Sequence, residues 1–321
     1  MGPGTLIQRS RLYAAICMLL WFWPAFGGLP DRQSARQGYA SPEEAAAALA
    51  SAARSHDQAT LTAILGTKSE KLLSSGDRHA DEEQQRRLAD AYDEKHALVT
   101  EGPECMELHI GNTDWTFPIL IVQKGRWYRW FFDTESGAEE IINRRIGRNE
   151  LAAIRVVLSY VDAQKDYFAR MIQQTGTGVY AERLISTPGY QDGLYWTAAA
   201  GASESPFARL VAQAQGEGYP GKIVRGKVIP YQGYYFRVLK AQGPNAPGGA
   251  MSYMKSRRMT GGFALIAWPA IFGSSGIMTF QVDQDGVVFK KDLGTSTSRI
   301  ASRITQFDPD LTWARIEVRN Q

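Results

Sequence analysis

Residues 149–174, NELAAIRVVLSYVDAQKDYFARMIQQ, decide the fold of the second half of the chain. Their apolar side chains recur at alternating spacings of three and four residues, which is typical of an amphipathic α-helix. This stripe consists of Leu151, Ile154, Leu158, Val161, Phe168 and Ile172 and is interrupted at Lys165. Asn149 is placed to cap the helix and Gly176 to end it. The sequence therefore predicts a helix over residues 150–174 with one face against a core.

Four β-rich runs follow this helix, at residues 234–239, 262–268, 277–282 and 287–291. Asp285-Gly286 is a hairpin signal between the last two runs. We expect a C-terminal domain, residues 144–321, in which the long helix packs on an antiparallel sheet.

Three helices and a sheet are predicted upstream of residue 144. Ser41, Pro42 and Glu44 favour the start of a helix, because they supply a capping hydroxyl, a proline for the first position and a capping box. The helices are expected over residues 41–55, 57–66 and 81–96, and the strands over residues 105–110, 117–123 and 126–132. These elements form an N-terminal domain, residues 41–143, so the predicted fold class of the whole chain is α+β.

The first 27 residues have the features of a secretory signal peptide. Arg9 and Arg11 precede an apolar run over residues 12–26, and Ala25-Phe26-Gly27 offers a cleavage site. Residues 28–40 are then a linker, and the mature protein is expected in the periplasm or outside the cell. The alternative is an uncleaved N-terminal anchor, which would be the chain's contact with the membrane.

The charge of the chain argues against a nucleic-acid-binding protein, and its cysteine content argues against a fold held by internal disulfides. Without Arg9 and Arg11 the chain keeps 34 basic and 33 acidic residues, and no basic stripe marks a nucleic-acid surface. Cleavage would also remove Cys17 and leave Cys105 alone, so we expect no disulfide within the mature chain.

Several motifs identify a family resemblance that covers nearly all of the mature chain. They are residues 144–151 (RRIGRNEL), 192–196 (DGLYW), 233–237 (GYYFR), 241–250 (AQGPNAPGGA) and 282–294 (VDQDGVVFKKDLG). Together they resemble the bacterial family called domain of unknown function 2950. The resemblance implies an exported bacterial protein and implies no particular activity.

The C-terminal half also resembles type IV pilin head domains. A helix that starts Asn149-Glu150, a Gly-Tyr-x-Phe strand at residues 233–236 and the hairpin at residues 280–286 carry this similarity. Pilins have their apolar membrane segment at the start of this helix, whereas here a whole domain precedes it. The resemblance therefore implies a fold rather than filament assembly.

Two groups of residues are candidates for a ligand site or an interface. Arg144, Arg145, Arg148 and Glu150 form either a functional cluster or a polar lock between the two domains, and the lock is favoured because a junction needs polar pairing. Tyr195 and Trp196 could stack on a sugar or a peptide, although such aromatic residues more often fill a core.

A calcium ion is the one cofactor that the sequence suggests. Asp283, Asp285 and Asp292 match part of a calcium-loop pattern, and Asp308 and Asp310 could approach it, but the flanking elements are strands and a hairpin turn is the simpler explanation. A further candidate is the strand face that carries Cys105, Glu107 and His109, for which a solvated face is the simpler explanation.

No catalytic constellation is recognisable, so the sequence favours a non-catalytic binding or scaffolding role at the cell envelope. The expected partner is an envelope protein or a glycan. A hydrolase that uses paired carboxylates and an accessory component of a pilus or secretion system remain as alternatives.

Overall fold

The described part of the chain opens with four α-helices, the first of which begins after Ser41, as the capping signals predict. The computed structural model describes residues 36–198, 203–219 and 229–317, so the predicted signal peptide lies outside the described residues. Ser41 accepts a hydrogen bond from the Glu44 N–H (3.1 Å), and Asp57 accepts one from the Thr60 N–H (3.0 Å). The helices are α1 (Pro42–Arg54), α2 (Gln58–Leu65), α3 (Glu70–Leu73) and α4 (Arg78–Glu94).

An antiparallel sheet follows, with its four strands in chain order. The strands are β1 (His96–Gly102), β2 (Cys105–Ile110), β3 (Trp115–Lys124) and β4 (Arg129–Phe132). Leu108, Phe117 and Ile119 alternate with more exposed residues and turn one face of the sheet towards α1 and α2. β1 was not predicted, because it is an edge strand that buries none of its side chains fully and shows no alternation.

A single helix, α5 (Thr134–Thr175), connects the two halves of the chain. The prediction that it starts at Glu150 was wrong, since the backbone is already helical from Thr134. Asn149 does not cap a helix but lies buried within α5, where its Nδ2 donates to the Ser275 carbonyl (2.9 Å). Gly176 ends the helix in the left-handed conformation (φ 72°), as predicted.

In the C-terminal half, a five-stranded antiparallel sheet packs against the second part of α5. The elements of this half are α6 (Ala208–Gly216), β5 (Tyr234–Leu239), β6 (Ala241–Gln242), β7 (Met251–Ser252), β8 (Met254–Lys255), β9 (Arg258–Met259), β10 (Ala264–Pro269), β11 (Met278–Asp283), β12 (Val288–Asp292), α7 (Thr297–Ala301) and β13 (Ala314–Arg315). The sheet has the strand order β13-β12-β11-β10-β5, and the four predicted runs are β5, β10, β11 and β12. The α+β fold class is confirmed.

The described residues contain two hydrophobic cores within one compact unit. Ile141 on α5 belongs to the first core, and Val157 and Tyr160 further along the same helix belong to the second. The predicted domain border between residues 143 and 144 therefore falls inside a continuous helix. Within the described ranges, no helix combines the length and the hydropathy that a membrane crossing needs.

Two glycines of α5 differ in what a side chain would meet. A Cβ on Gly137 would collide with the Pro118 carbonyl of β3, because the helix approaches the sheet closely there. A Cβ on Gly147 would have no atom within 4 Å.

We expect Gly137→Ala to lower the free energy of unfolding by about 2 kcal/mol, since helix and sheet must separate to admit the methyl group. Gly147→Ala is the matched control in the same helix. It should raise the free energy of unfolding by about 0.5–1 kcal/mol, because alanine favours an exposed helical position over glycine. Urea unfolding of both variants measures this difference. Equal changes in the free energy of unfolding would contradict the close approach of α5 to β3.

Candidate functional site

A cavity of about 340 Å³ lies between α4, α5 and the first core. Its wall is mainly apolar and comes from α1, α2, α3, the first sheet, α4 and α5, and Glu217, Tyr219 and Gln232 of the C-terminal half also line it. The apolar lining includes Leu49, Leu61, Leu65, Leu88, Ile110 and Phe117. Cavities of this size are in the range that proteins use for small molecules.

Helix α4 covers this cavity with one face. Ala80, Gln84, Leu88 and Ala91 line the cavity at spacings of four and three residues, so they project from the same side of the helix. The helix buries only Ala89 fully. At the edge of this face, Glu83 pairs with Arg86 (2.8 Å), which also pairs with Asp90 (2.6 Å). These ion pairs stabilise the helix without a large apolar contact.

Arginines mark the place where the cavity meets solvent. Arg87, Arg144 and Arg148 are exposed and also line the cavity. Arg87 pairs with Glu83 (2.7 Å), and Arg144 pairs with Glu140 one turn earlier on α5. Among the described residues, Arg148 has neither a hydrogen bond nor an ion pair, and desolvation together with the charges of Arg87 and Arg144 lowers its pKa.

Arg145 has a different role from its neighbours. Its side chain is buried, with 3% of the residue exposed, and its Nε donates to the Ser274 carbonyl (3.0 Å). Its Nη1 donates to the Leu72 carbonyl (2.9 Å), and its Nη2 donates to the Lys71 carbonyl and to Ser274 Oγ. Asp81 supplies the nearest opposite charge at 3.9 Å. Arg145 thus joins α3, α5 and the segment before β11.

Glu150 completes this junction from the next turn of α5. Its Oε1 accepts hydrogen bonds from the N–H groups of Ile277 and Met278, both at 3.0 Å. The candidate cluster therefore divides: Arg145 and Glu150 form a lock between the halves, whereas Arg144 and Arg148 face the cavity and solvent.

Sequence reasoning missed Asp77, the other buried charge of this junction. Asp77 is fully buried, and its Oδ2 accepts hydrogen bonds from the Tyr219 hydroxyl (2.7 Å) and the Gly233 N–H (2.8 Å). Burial raises the pKa of this carboxyl, while the two hydrogen bonds oppose the shift. The signal that could have indicated it is its position as the cap of α4, since its Oδ1 also accepts from the Ala80 N–H (3.2 Å).

Replacing Arg145 tests the lock. We expect Arg145→Met to lower the free energy of unfolding by about 3–5 kcal/mol, because the carbonyls of Lys71, Leu72 and Ser274 lose buried donors. Arg144→Met is the control, and it should change the free energy of unfolding by less than about 0.5 kcal/mol, since an exposed pair contributes little. Chemical denaturation compares the two variants, and similar losses for both would argue against the lock.

Tyr195 and Trp196 do not form an open stacking platform. Both are half-buried and pack against the second core, with the ring of Trp196 edge-on to Tyr167 at 6.5 Å. The backbone N–H of Tyr195 donates to the Leu184 carbonyl (3.0 Å), which fixes this segment against its neighbour. The packing therefore supports a structural role for Tyr195 and Trp196 at the second core.

The five aspartates of the calcium hypothesis do not converge. Asp283 binds the Asp285 N–H within the hairpin turn (3.1 Å), and Asp292 binds the Gly294 N–H at the other end of β12 (2.7 Å). Asp308 accepts from the Asn245 N–H (2.8 Å), and Asp310 accepts from the Thr312 N–H (2.9 Å). Residues 36–198, 203–219 and 229–317 contain no group of three or more histidine, cysteine or acidic side chains that could hold a metal ion. A calcium site at these aspartates has no geometric support.

The polar face of β2 does bring a histidine and two carboxylates together. His109 Nε2 lies 3.3 Å from Glu107 Oε2, and its Nδ1 lies 3.3 Å from Asp114 Oδ2. These hydrogen bonds raise the pKa of His109, the bond to Glu107 most. Cys105 shares the face, but desolvation and nearby carboxylates raise the pKa of its thiol, which disfavours a nucleophilic thiolate. The face has the character of a surface ion-pair network.

One comparison with known proteins gives a match. A family model described as "Protein of unknown function (DUF2950)" matches residues 36–316, so the resemblance seen in the sequence motifs is confirmed. Neither the curated proteins nor the solved structures include a match to the chain.

Proposed function

This chain belongs to the family described as protein of unknown function (DUF2950), and from its cavity we propose that it is an exported, non-catalytic binding protein of the cell envelope. The observation that carries the proposal is the cavity of about 340 Å³ beneath α4. An apolar wall with charged groups at one edge is the usual design of a small-molecule site. Such a wall suits an apolar ligand better than the glycan that the sequence suggested.

The charged groups around the cavity support binding rather than hydrolysis. Glu83 is paired with Arg86 and Arg87, and Glu217 accepts a hydrogen bond from Gln232 Nε2 (2.7 Å). Asp81 accepts the Ser75 N–H (2.9 Å) and faces Arg145. A carboxylate hydrolase needs one free acid and one free base beside its substrate, and these three carboxylates already have partners.

The role of a pilus component receives less support than a binding role. The first part of α5 packs on β3, where Gly137 meets Pro118, so it is part of a folded core. In a pilin, the corresponding part of the helix would have to enter a membrane.

Export is supported by the sequence of the N-terminus. Arg9, Arg11 and the apolar run over residues 12–26 have the order of a secretory signal. Cys105 is a free cysteine in the structure, so the folded chain places no requirement on an oxidising or a reducing compartment.

Filling the cavity tests ligand binding. The neutral dye N-phenylnaphthylamine fluoresces in apolar sites, and we expect saturable binding of this probe to the protein. Leu88→Trp should weaken the binding at least about tenfold, since the larger side chain occupies the space beneath α4. Leu151→Trp is the control, because Leu151 is 59% exposed and does not line the cavity. Absence of saturable dye binding to the unmodified protein would refute the proposal.

Interrupting the apolar run tests export. We expect the full chain, made in a Gram-negative host, to lose about the first 27 residues and to reach the periplasm. Leu19→Arg combined with Leu20→Arg should leave the precursor in the cytoplasm, whereas Leu6→Arg lies before the run and should be exported normally. Cell fractionation and intact-mass measurement distinguish these outcomes, and an unprocessed, cytoplasmic wild-type chain would contradict the proposal.

A further inference from the structure

The rim of the cavity carries a positive charge that the described residues do not neutralise. Arg87 and Arg144 each have a carboxylate partner, but Arg148 has none in the described part of the chain. The acidic residues that line the cavity, Asp81, Glu83 and Glu217, are engaged elsewhere by the contacts given above. The positive charges of Arg87 and Arg144 destabilise the charged form of Arg148. An anion bound beside Arg148 would offset this repulsion.

Helix α5 places this charge at the end of an apolar path. Ile141, Arg145 and Arg148 lie at spacings of four and three residues and line the cavity from one face of the helix. Ile141 is buried in the first core, Arg145 is used by the lock, and Arg148 reaches the exposed rim. The cavity therefore changes from apolar to cationic over about 10 Å of helix.

We propose that the cavity binds an amphipathic anion, whose carboxylate or phosphate pairs with Arg148 while its aliphatic chain lies beneath α4. This inference rests on the proposed binding function and adds the chemical class of the ligand. A guanidinium recognises both oxyanions through paired N–H donors, and the apolar wall gives the chain the environment that it prefers.

A competition experiment on the full mature chain tests the charge and the tail separately. Decanoate, decyl phosphate, decanol and inorganic phosphate are each titrated against bound N-phenylnaphthylamine at low ionic strength. We expect decanoate or decyl phosphate to displace the dye at about tenfold lower concentration than decanol, since a charge-assisted hydrogen bond distinguishes them. Inorganic phosphate should not displace it, because it has no chain to occupy the apolar space.

Arg148→Gln should abolish the preference for the anions over decanol and leave displacement by decanol unchanged. Arg155→Gln is the matched control, since Arg155 is an exposed arginine of the same helix that does not line the cavity. Circular dichroism and melting temperature show that both variants are folded. Equal displacement by decanoate, decyl phosphate and decanol would overturn the anionic class while dye binding still supports the cavity.

An anion preference that survives in Arg148→Gln, or displacement by inorganic phosphate as effective as that by decanoate, would also overturn the assignment. Failure of the dye to bind at all is a different result, because it removes the proposed binding function itself. The ratio between decanoate and decyl phosphate then identifies which headgroup the rim prefers.

Discussion

The buried guanidinium of Arg145 is the constraint on which the arrangement of the chain depends. A charge removed from water is tolerated only when hydrogen bonds replace its hydration. Arg145 obtains them from the carbonyls of Lys71 and Leu72 on one side and from Ser274 on the other. The two halves must therefore meet at this point of α5, and the bonds of Asn149 and Glu150 to the same segment extend the contact by one turn.

The same run of sequence serves two purposes because a helix separates neighbours by about 100°. Arg144 and Arg145 are adjacent in the chain, yet one pairs with Glu140 in solvent and the other is buried in the junction. Arg148 then comes back towards the cavity. The charged cluster predicted from the sequence thus contained two residues of the lock, Arg145 and Glu150, and one arginine without a carboxylate partner among the described residues, Arg148. Only the direction of each side chain separates these roles.

Predictions from the sequence were correct where neighbouring residues determine the structure, and they failed where residues far apart in the chain determine it. The cap of α1, the glycine after α5 and the four β-rich runs of the C-terminal half are local signals, and they were predicted correctly. The start of α5 was wrong because Asn149 has the chemistry of a cap but finds its partner in Ser275, far along the chain. The cavity could not be predicted either, since it depends on how far α4 stands from the sheet. Likewise, Asp283 and Asp292 satisfied a spacing pattern, while each accepts a hydrogen bond from a backbone amide close to it in the chain.

The sequence distance between Arg145 and its partner Ser274, 129 residues, also sets an order of events while the chain is being made. Parts nearer the N-terminus generally emerge and fold first. Here α3 and the first part of α5 are made early, but the carbonyl that completes their junction emerges much later. Until then the guanidinium has to remain hydrated, and the surface around it stays accessible to other proteins. The half of the molecule that is synthesised first is therefore completed only after residue 274, when most of the second half has been made.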